Sequence, residues 1–258
     1  MTTSSNLLEA DRLSELVKVI GGADSVELKL TVPDHRLRSA AEALDLDPLQ
    51  AEIRQVVFFD TPNLDLNGAG LVARARRMQD GSGDTVVKLR PVVPEDIDDR
   101  MRKSGAVIVE VDAMPGGFVC SASMKGKTTA KAVRKVAQGR EEIGSLFSKA
   151  QKNFFRLYAP DDMRMNGLSP LGPINIFKLK FAPQELGRKM VAELWLFPDG
   201  TRTLELSTKC GTGETFQVAA EARAFLSDKG IDLEGEQATK TKTALEFFAA
   251  GLSGPSTG

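Results

Sequence analysis

The chain has 258 residues, 41% of them hydrophobic and 27% charged, which excludes a disordered or fibrous sequence and allows a substantial core. Its formal net charge is −1 and its pI about 6.0, which excludes a globally basic nucleic-acid binder, so any basic function has to come from local clustering. Two distant cysteines, Cys120 and Cys210, and one histidine, His35, leave no disulfide framework, no CxxC zinc pair and no basis for a histidine metal site or a Ser-His-Asp triad.

Taken in chain order, residues 1–22 form an N-terminal extension that starts polar and then places Leu13, Leu16, Val17 and Ile20 on one helical stripe, ended by Gly21-Gly22. Residues 25–32 alternate as a strand, and 34–46 carry Leu37, Ala40, Ala41 and Leu44 at helical spacing. Strands follow at 53–59, 71–77, 85–90 and 106–112, separated by Asp60-Thr61-Pro62-Asn63, by Asn67-Gly68-Ala69-Gly70, by Asp80-Gly81-Ser82-Gly83-Asp84, and by Pro91 and Pro94. Met114-Pro115-Gly116-Gly117 stops the fourth of these. Residues 123–158 read as a basic helical insertion, with nine basic residues against only Glu141 and Glu142 between Ser121 and Pro160. Strands resume at 174–181, 190–197 and 202–209, helices are expected at 215–229 and 237–250, and the tail 251–258 is expected to be disordered. The N-terminus has no basic stretch, and no apolar run approaches the roughly 20 residues of a membrane span. Neither signal peptide nor membrane helix is therefore expected, and the cytoplasm is the default compartment.

The distinguishing pattern is charge placed two residues apart within strands, so that each pair shares one face. The pairs are Glu27 and Lys29, Arg74 and Arg76, Lys88 and Arg90, Glu110 and Asp112, and Lys178 and Lys180. Glu193 and Glu205 sit in the last two strands. Alternation by itself describes an open antiparallel sheet whose charges face water. Three features point instead to a closed barrel with charge inside. All but the first pair are like-charged, and so would repel on a plain solvated face. Eight strands can close round one small ligand, and the expected helices can cover the apolar outside. Clustered cations in such an interior need a compensating anion, for which a polyphosphate with a divalent metal is suited.

The segments VELKL (26–30), FFDTPNLDLNGAGLVARARR (58–77) and VVKLRP (86–91) resemble the front half of a CYTH domain, the triphosphate tunnel metalloenzyme superfamily. IVEVD (108–112), FKLK (177–180), TLELSTK (203–209) and ATKTKTAL (238–245) are similar to its later strands and C-terminal lysine. The resemblance spans roughly residues 24–246. It implies an α+β fold, a closed antiparallel eight-stranded tunnel with helices outside, over residues 23–250. It also implies Mg²⁺ or Mn²⁺ and a small-molecule partner, either a polyphosphate or a nucleoside or thiamine triphosphate. By the same resemblance the phosphate ligands are Lys29, Arg74, Arg76, Lys88, Arg90, Lys178, Lys180 and Lys240. Glu27 and Glu205 hold one divalent cation, helped by Glu193, Glu110 or Asp112, and Glu27, Lys29 and Glu205 form the catalytic set. The family's first strand carries Glu-x-Glu-x-Lys, but Ser25 stands at its first acidic position here. Its later run of glutamates keeps only Glu205, with Ser207 two residues on.

The implied activity is metal-dependent hydrolysis of a triphosphate. The alternatives are a non-catalytic polyphosphate- or nucleotide-binding module and an adenylate cyclase of the bacterial class. Lys125-Gly126-Lys127-Thr128 lacks the glycine of a P-loop, Ser121 standing in its place, and reads as a helix start. The basic stretch reads as a solvated helix surface, so a nucleic-acid partner is not indicated. Trp195 reads as a packing residue and His35 as an exposed loop residue.

Overall fold

The computed structural model describes residues 14–231 and 240–252. The strands are β1 (Ser25–Val32), β2 (Glu52–Asp60), β3 (Leu71–Met78), β4 (Ser82–Leu89), β5 (Val107–Met114), β6 (Gly117–Thr129), β7 (Ser169–Phe181), β8 (Met190–Leu196) and β9 (Arg202–Cys210). They close a barrel in the order β1-β5-β6-β4-β3-β2-β7-β8-β9, with β9 pairing back to β1. The fold class is α+β, as expected, but the barrel has nine strands and is mixed, because β1 and β5 run parallel.

Both corrections have local causes. Met114-Pro115-Gly116-Gly117 was expected to end a strand, but it reverses one. Met114 faces Gly117, and Gly116 takes φ 85, open to glycine without a Cβ penalty. The chain returns as β6, and the helix expected from 123 begins only at Ala130. The Lys125–Thr128 segment is therefore strand. The parallel pair arises because β5 enters between β1 and β6 after a connection of more than seventy residues. No local pattern reports such a crossover.

The helices are α1 (14–21), α2 (Leu37–Ala43), α3 (Asp65–Gly68), α4 (Asp99–Lys103), α5 (Ala130–Ala137), α6 (Lys149–Tyr158), α7 (Thr215–Asp228) and α8 (Lys240–Leu252). Those that cover the strands pack on the outward apolar side chains. Val133 and Val136 of α5 and Phe154 and Phe155 of α6 join Leu71, Ala73, Ala75, Val87, Val109 and Val111, the outward alternates of the charged pairs, in one buried cluster. Gln151 of α6 is fully buried and donates to the carbonyls of Thr85 and Met124. Gly126 makes room for it, since a Cβ there would stand 2.4 Å from its Oε1. Phe225 and Leu226 of α7 cover Leu30, Leu204 and Leu206.

The eighth helix behaves differently. Ala244 and Leu245 of α8 pack with Val56, Phe58, Leu171, Ile174, Ile176, Trp195 and Phe197. Val56 and Phe58 are the direct register partners of Arg76 and Arg74, so they share the inward side. This helix therefore closes part of the barrel interior. No helix of the described residues is long and apolar enough to cross a membrane.

Candidate functional site

Opposed residues in a sheet point to the same side, so the register identifies the inward face strand by strand. Glu27 opposes Lys209 and Asp112, Lys29 opposes Ser207, and Glu193 opposes both Glu205 and Lys178. Arg76 opposes Asp84, and Lys88 opposes Ser123. The expected inward charges on seven of the strands thus meet in one barrel. Its interior holds a cavity of about 540 Å³ lined by eight basic and five acidic side chains. The cavity reaches solvent past Lys125 and Lys209, each about half exposed.

Most of the residues expected at the site line this cavity: Glu27, Lys29, Arg74, Arg76, Lys88, Arg90, Glu110, Asp112, Lys178, Glu193 and Glu205. Lys180 does not; it is exposed near the end of β7, beside Val191. Lys240 opens α8, but its side chain lies outside the described residues. Other lining residues were not assigned to the site from sequence, among them Lys125, Asn67, Thr241 and Lys209, the last sharing a strand face with Glu205. Lys125 had been placed on a solvated helix, whereas the alternation Val119, Ser121, Ser123, Lys125 is the inward face of β6, and that pattern was the available signal. Asn67 reaches the cavity because buried Asp60 accepts the backbone N–H groups of Thr61, Leu66 and Asn67, which folds the turn inward. Trp195 is buried as expected, yet it also lines the cavity, stacked on Phe58 with centroids 6.5 Å apart.

The ion pairs divide the interior into groups. Asp112 is the deepest acid, 1% exposed. It faces Lys29 at 2.9 Å, Arg90 at 3.6 Å and Lys88 at 3.9 Å, while Glu27 takes the other side of Lys29 at 3.1 Å. Lys178 holds Glu193 at 3.0 Å, Arg76 holds Asp84 at 2.6 Å, and Glu110 is held by Lys209 and Lys125. Arg74 is in no ion pair among the described residues, and its enclosed Nε has no hydrogen-bond partner.

Electrostatics follow this grouping. Burial lowers the Arg74 pKa to about 10, with Arg76 adding to the effect. Burial lowers Lys88 to about 8; Asp112 opposes the shift, and Lys29, Arg74 and Arg90 reinforce it. Burial also disfavours the charge on Lys29, but Asp112, Glu27 and Glu205 outweigh it and raise its pKa. The Asp112 carboxyl is held below its usual range, because Lys29, Lys88 and Arg90 together outweigh the desolvation that would raise it. The cavity thus carries partly unmatched positive charge on its β3–β4 wall.

Metal ligation is less developed. No cluster of three or more metal-type ligands occurs among the described residues. Glu27 opposes Lys209 whereas Glu205 opposes Thr31, so the backbones of the two residues expected to share a cation lie four strand positions apart, roughly 13 Å, although both carboxylates act on Lys29 between them. Glu205 and Glu193, in contrast, are direct cross-strand neighbours. Two carboxylates suit Mg²⁺ or Mn²⁺ arriving on phosphate oxygens better than an ion in a dedicated cage.

No protein-family model matches the sequence, and no curated protein does. Solved structures match the fold. One is an adenylyl cyclase candidate from Hippeastrum described as having a dominant triphosphatase activity. It aligns with TM-score 0.64 and 17% identity over 86% of this chain and 95% of that one. Another is an adenylate cyclase candidate from Bacillus halodurans, with TM-score 0.58 and 10% identity over 85% and 97% of the two chains. The chain shares their fold, in line with the tunnel architecture that its sequence resemblance implies.

Proposed function

We propose that the barrel interior binds the phosphate chain of a small triphosphate compound and hydrolyses its terminal anhydride. The observation that carries the reading is Arg74, a guanidinium enclosed in the cavity with no ion pair among the described residues and an unpartnered Nε, next to Arg76 and close to Lys88. An anionic chain along this wall compensates charges that the protein itself leaves unmatched. In this reading Arg74, Lys88 and Arg90 take the oxygens of the terminal phosphoryl group and neutralise the charge it gains on transfer. Arg76, Lys178, Lys125 and Lys209 carry the rest of the chain toward solvent. Glu27, held by Lys29, orients the attacking water in line with the leaving oxygen. Glu193 and Glu205 would hold a divalent ion entering with the substrate, which would supply Lewis-acid polarisation of phosphate oxygens.

The test is a hydrolysis screen with inorganic triphosphate, ATP and thiamine triphosphate, each with Mg²⁺ or Mn²⁺, reading phosphate, pyrophosphate and cyclic AMP together. Phosphate release that disappears in both Glu27→Ala and Glu205→Ala supports the hydrolase. Cyclic AMP and pyrophosphate from ATP, without free phosphate, replace it with a cyclase. A second reading, a non-catalytic polyphosphate module, is favoured by inward Ser25 and Ser207 and by the lack of a three-ligand cluster among the described residues. Its signature is thermal stabilisation by triphosphate without turnover, with hydrolysis appearing when Ser25 and Ser207 are both replaced by Glu.

A further inference from the structure

The sequence resemblance places Asp112 among the metal ligands, but its surroundings are those of a bound anion. Three cations from two strands converge on this one carboxylate: Lys29 of β1 at 2.9 Å, and Lys88 and Arg90 at and just beyond the end of β4, at 3.9 and 3.6 Å. Its side chain is 2% exposed, and its Oδ2, which faces Lys88 and Arg90, makes no hydrogen bond. A carboxylate built to ligate a metal stands beside other acids. Of its register partners here Val119 is apolar, and Glu27, the one acid, shares the Lys29 ammonium with it. The 3.6 and 3.9 Å separations are long for charge-assisted contacts, which close to about 2.7–2.9 Å when made in full. Both cations thus remain able to take a better-placed oxygen.

We propose that Asp112 is an internal phosphate surrogate, occupying the anion subsite formed by Lys29, Lys88 and Arg90, and that an entering triphosphate competes with it for these cations. This rests on the triphosphate reading above and adds a basis for selectivity. Orthophosphate, with two negative charges or fewer, displaces a carboxylate already ion-paired to three cations poorly. A triphosphate, anchored also by Arg74 and Arg76, brings enough charge to succeed.

The experiment is calorimetric titration of the full chain, metal-free and at fixed ionic strength, with inorganic triphosphate and with orthophosphate. Asp112→Asn is expected to bind triphosphate at least tenfold more tightly than the wild type and to acquire measurable orthophosphate binding. Because unpaired cations can destabilise Asp112→Asn, the same comparison is made between Lys88→Gln and the K88Q/D112N double variant, whose charges balance. Tighter binding on removal of Asp112 in that background supports the surrogate equally. Unchanged or weaker binding in folded variants of both backgrounds overturns it while leaving the triphosphate reading intact. Absence of triphosphate binding in the wild type and in every variant overturns both.

Discussion

The two halves of the barrel interior face each other across the same strands and are built on opposite principles. Toward Arg74, Lys88, Asp112 and Lys29 the inward positions are charged and enclose a cavity of about 540 Å³. Toward Val56, Phe58, Ile174, Ile176 and Phe197 they are apolar and filled, with Ala244 and Leu245 of α8 completing the packing. Trp195 lies at the seam, packed in the apolar cluster and lining the cavity. Strands β3 and β8 contribute to both halves, Arg74 and Arg76 following Val72 and Trp195 following Glu193. The alternation that points a side chain inward therefore does not say whether the interior there is full or open. Burial stabilises one half, whereas charge desolvated without full pairing costs stability in the other and creates a site.

The comparison implies effects of graded size. Phe58→Ala removes a fully buried ring from the filled half. It is expected to lower unfolding free energy by about 3–5 kcal/mol in urea titrations while leaving triphosphate affinity of the folded protein unchanged. Arg74→Met, in the open half, is expected to do the reverse. Triphosphate binding falls about 100-fold, from lost contacts worth about 1.5–3 kcal/mol each, and the ligand-free protein melts no lower than the wild type, because a poorly compensated buried charge is gone. A melting temperature that drops as far as that of Phe58→Ala would show that the halves are not energetically distinct.

A third effect concerns pH. Lys88 has its folded pKa near 8, below its unfolded value of about 10.4, so the unfolded chain binds more protons between these values. Lys88 therefore contributes stability that rises with pH across that window. Bound phosphate favours the ammonium form, so triphosphate binding takes up a proton near pH 8, and affinity falls by up to about tenfold per pH unit above it. Proton uptake measured by calorimetry in two buffers checks the sign, and Lys88→Arg is expected to abolish it. The smallest effect lies at the seam. Trp195, the one tryptophan, is expected to report triphosphate entry by a change in emission, while Trp195→Phe costs under about 1.5 kcal/mol and leaves affinity intact.

Where the sequence was readable, it was readable through period two. The pairs Arg74/Arg76, Lys88/Arg90 and Glu110/Asp112 opposite Leu71, Ala73, Val87, Val109 and Val111 marked both an inner and an outer face, and the structure keeps both. The missed strand β6 carries the same alternation, but small serines replace the charges along its buried part, and the Pro-Gly turn before it resembles a stop. Lys125 was lost with it. Asn67 was not legible because its position depends on three backbone hydrogen bonds to Asp60.

The sequence by itself determined the faces of the strands, the charge of the interior and the covering helices, because these follow from local alternation and from the free energy of burying apolar side chains. Only the tertiary structure decided the ninth strand, the parallel β1–β5 pairing and the division of the interior by α8. It also decided that Asp112 faces three cations. Each of these depends on which distant segments close the barrel, and side chains from β1, β4 and β5 become neighbours only through long-range register that no local spacing encodes.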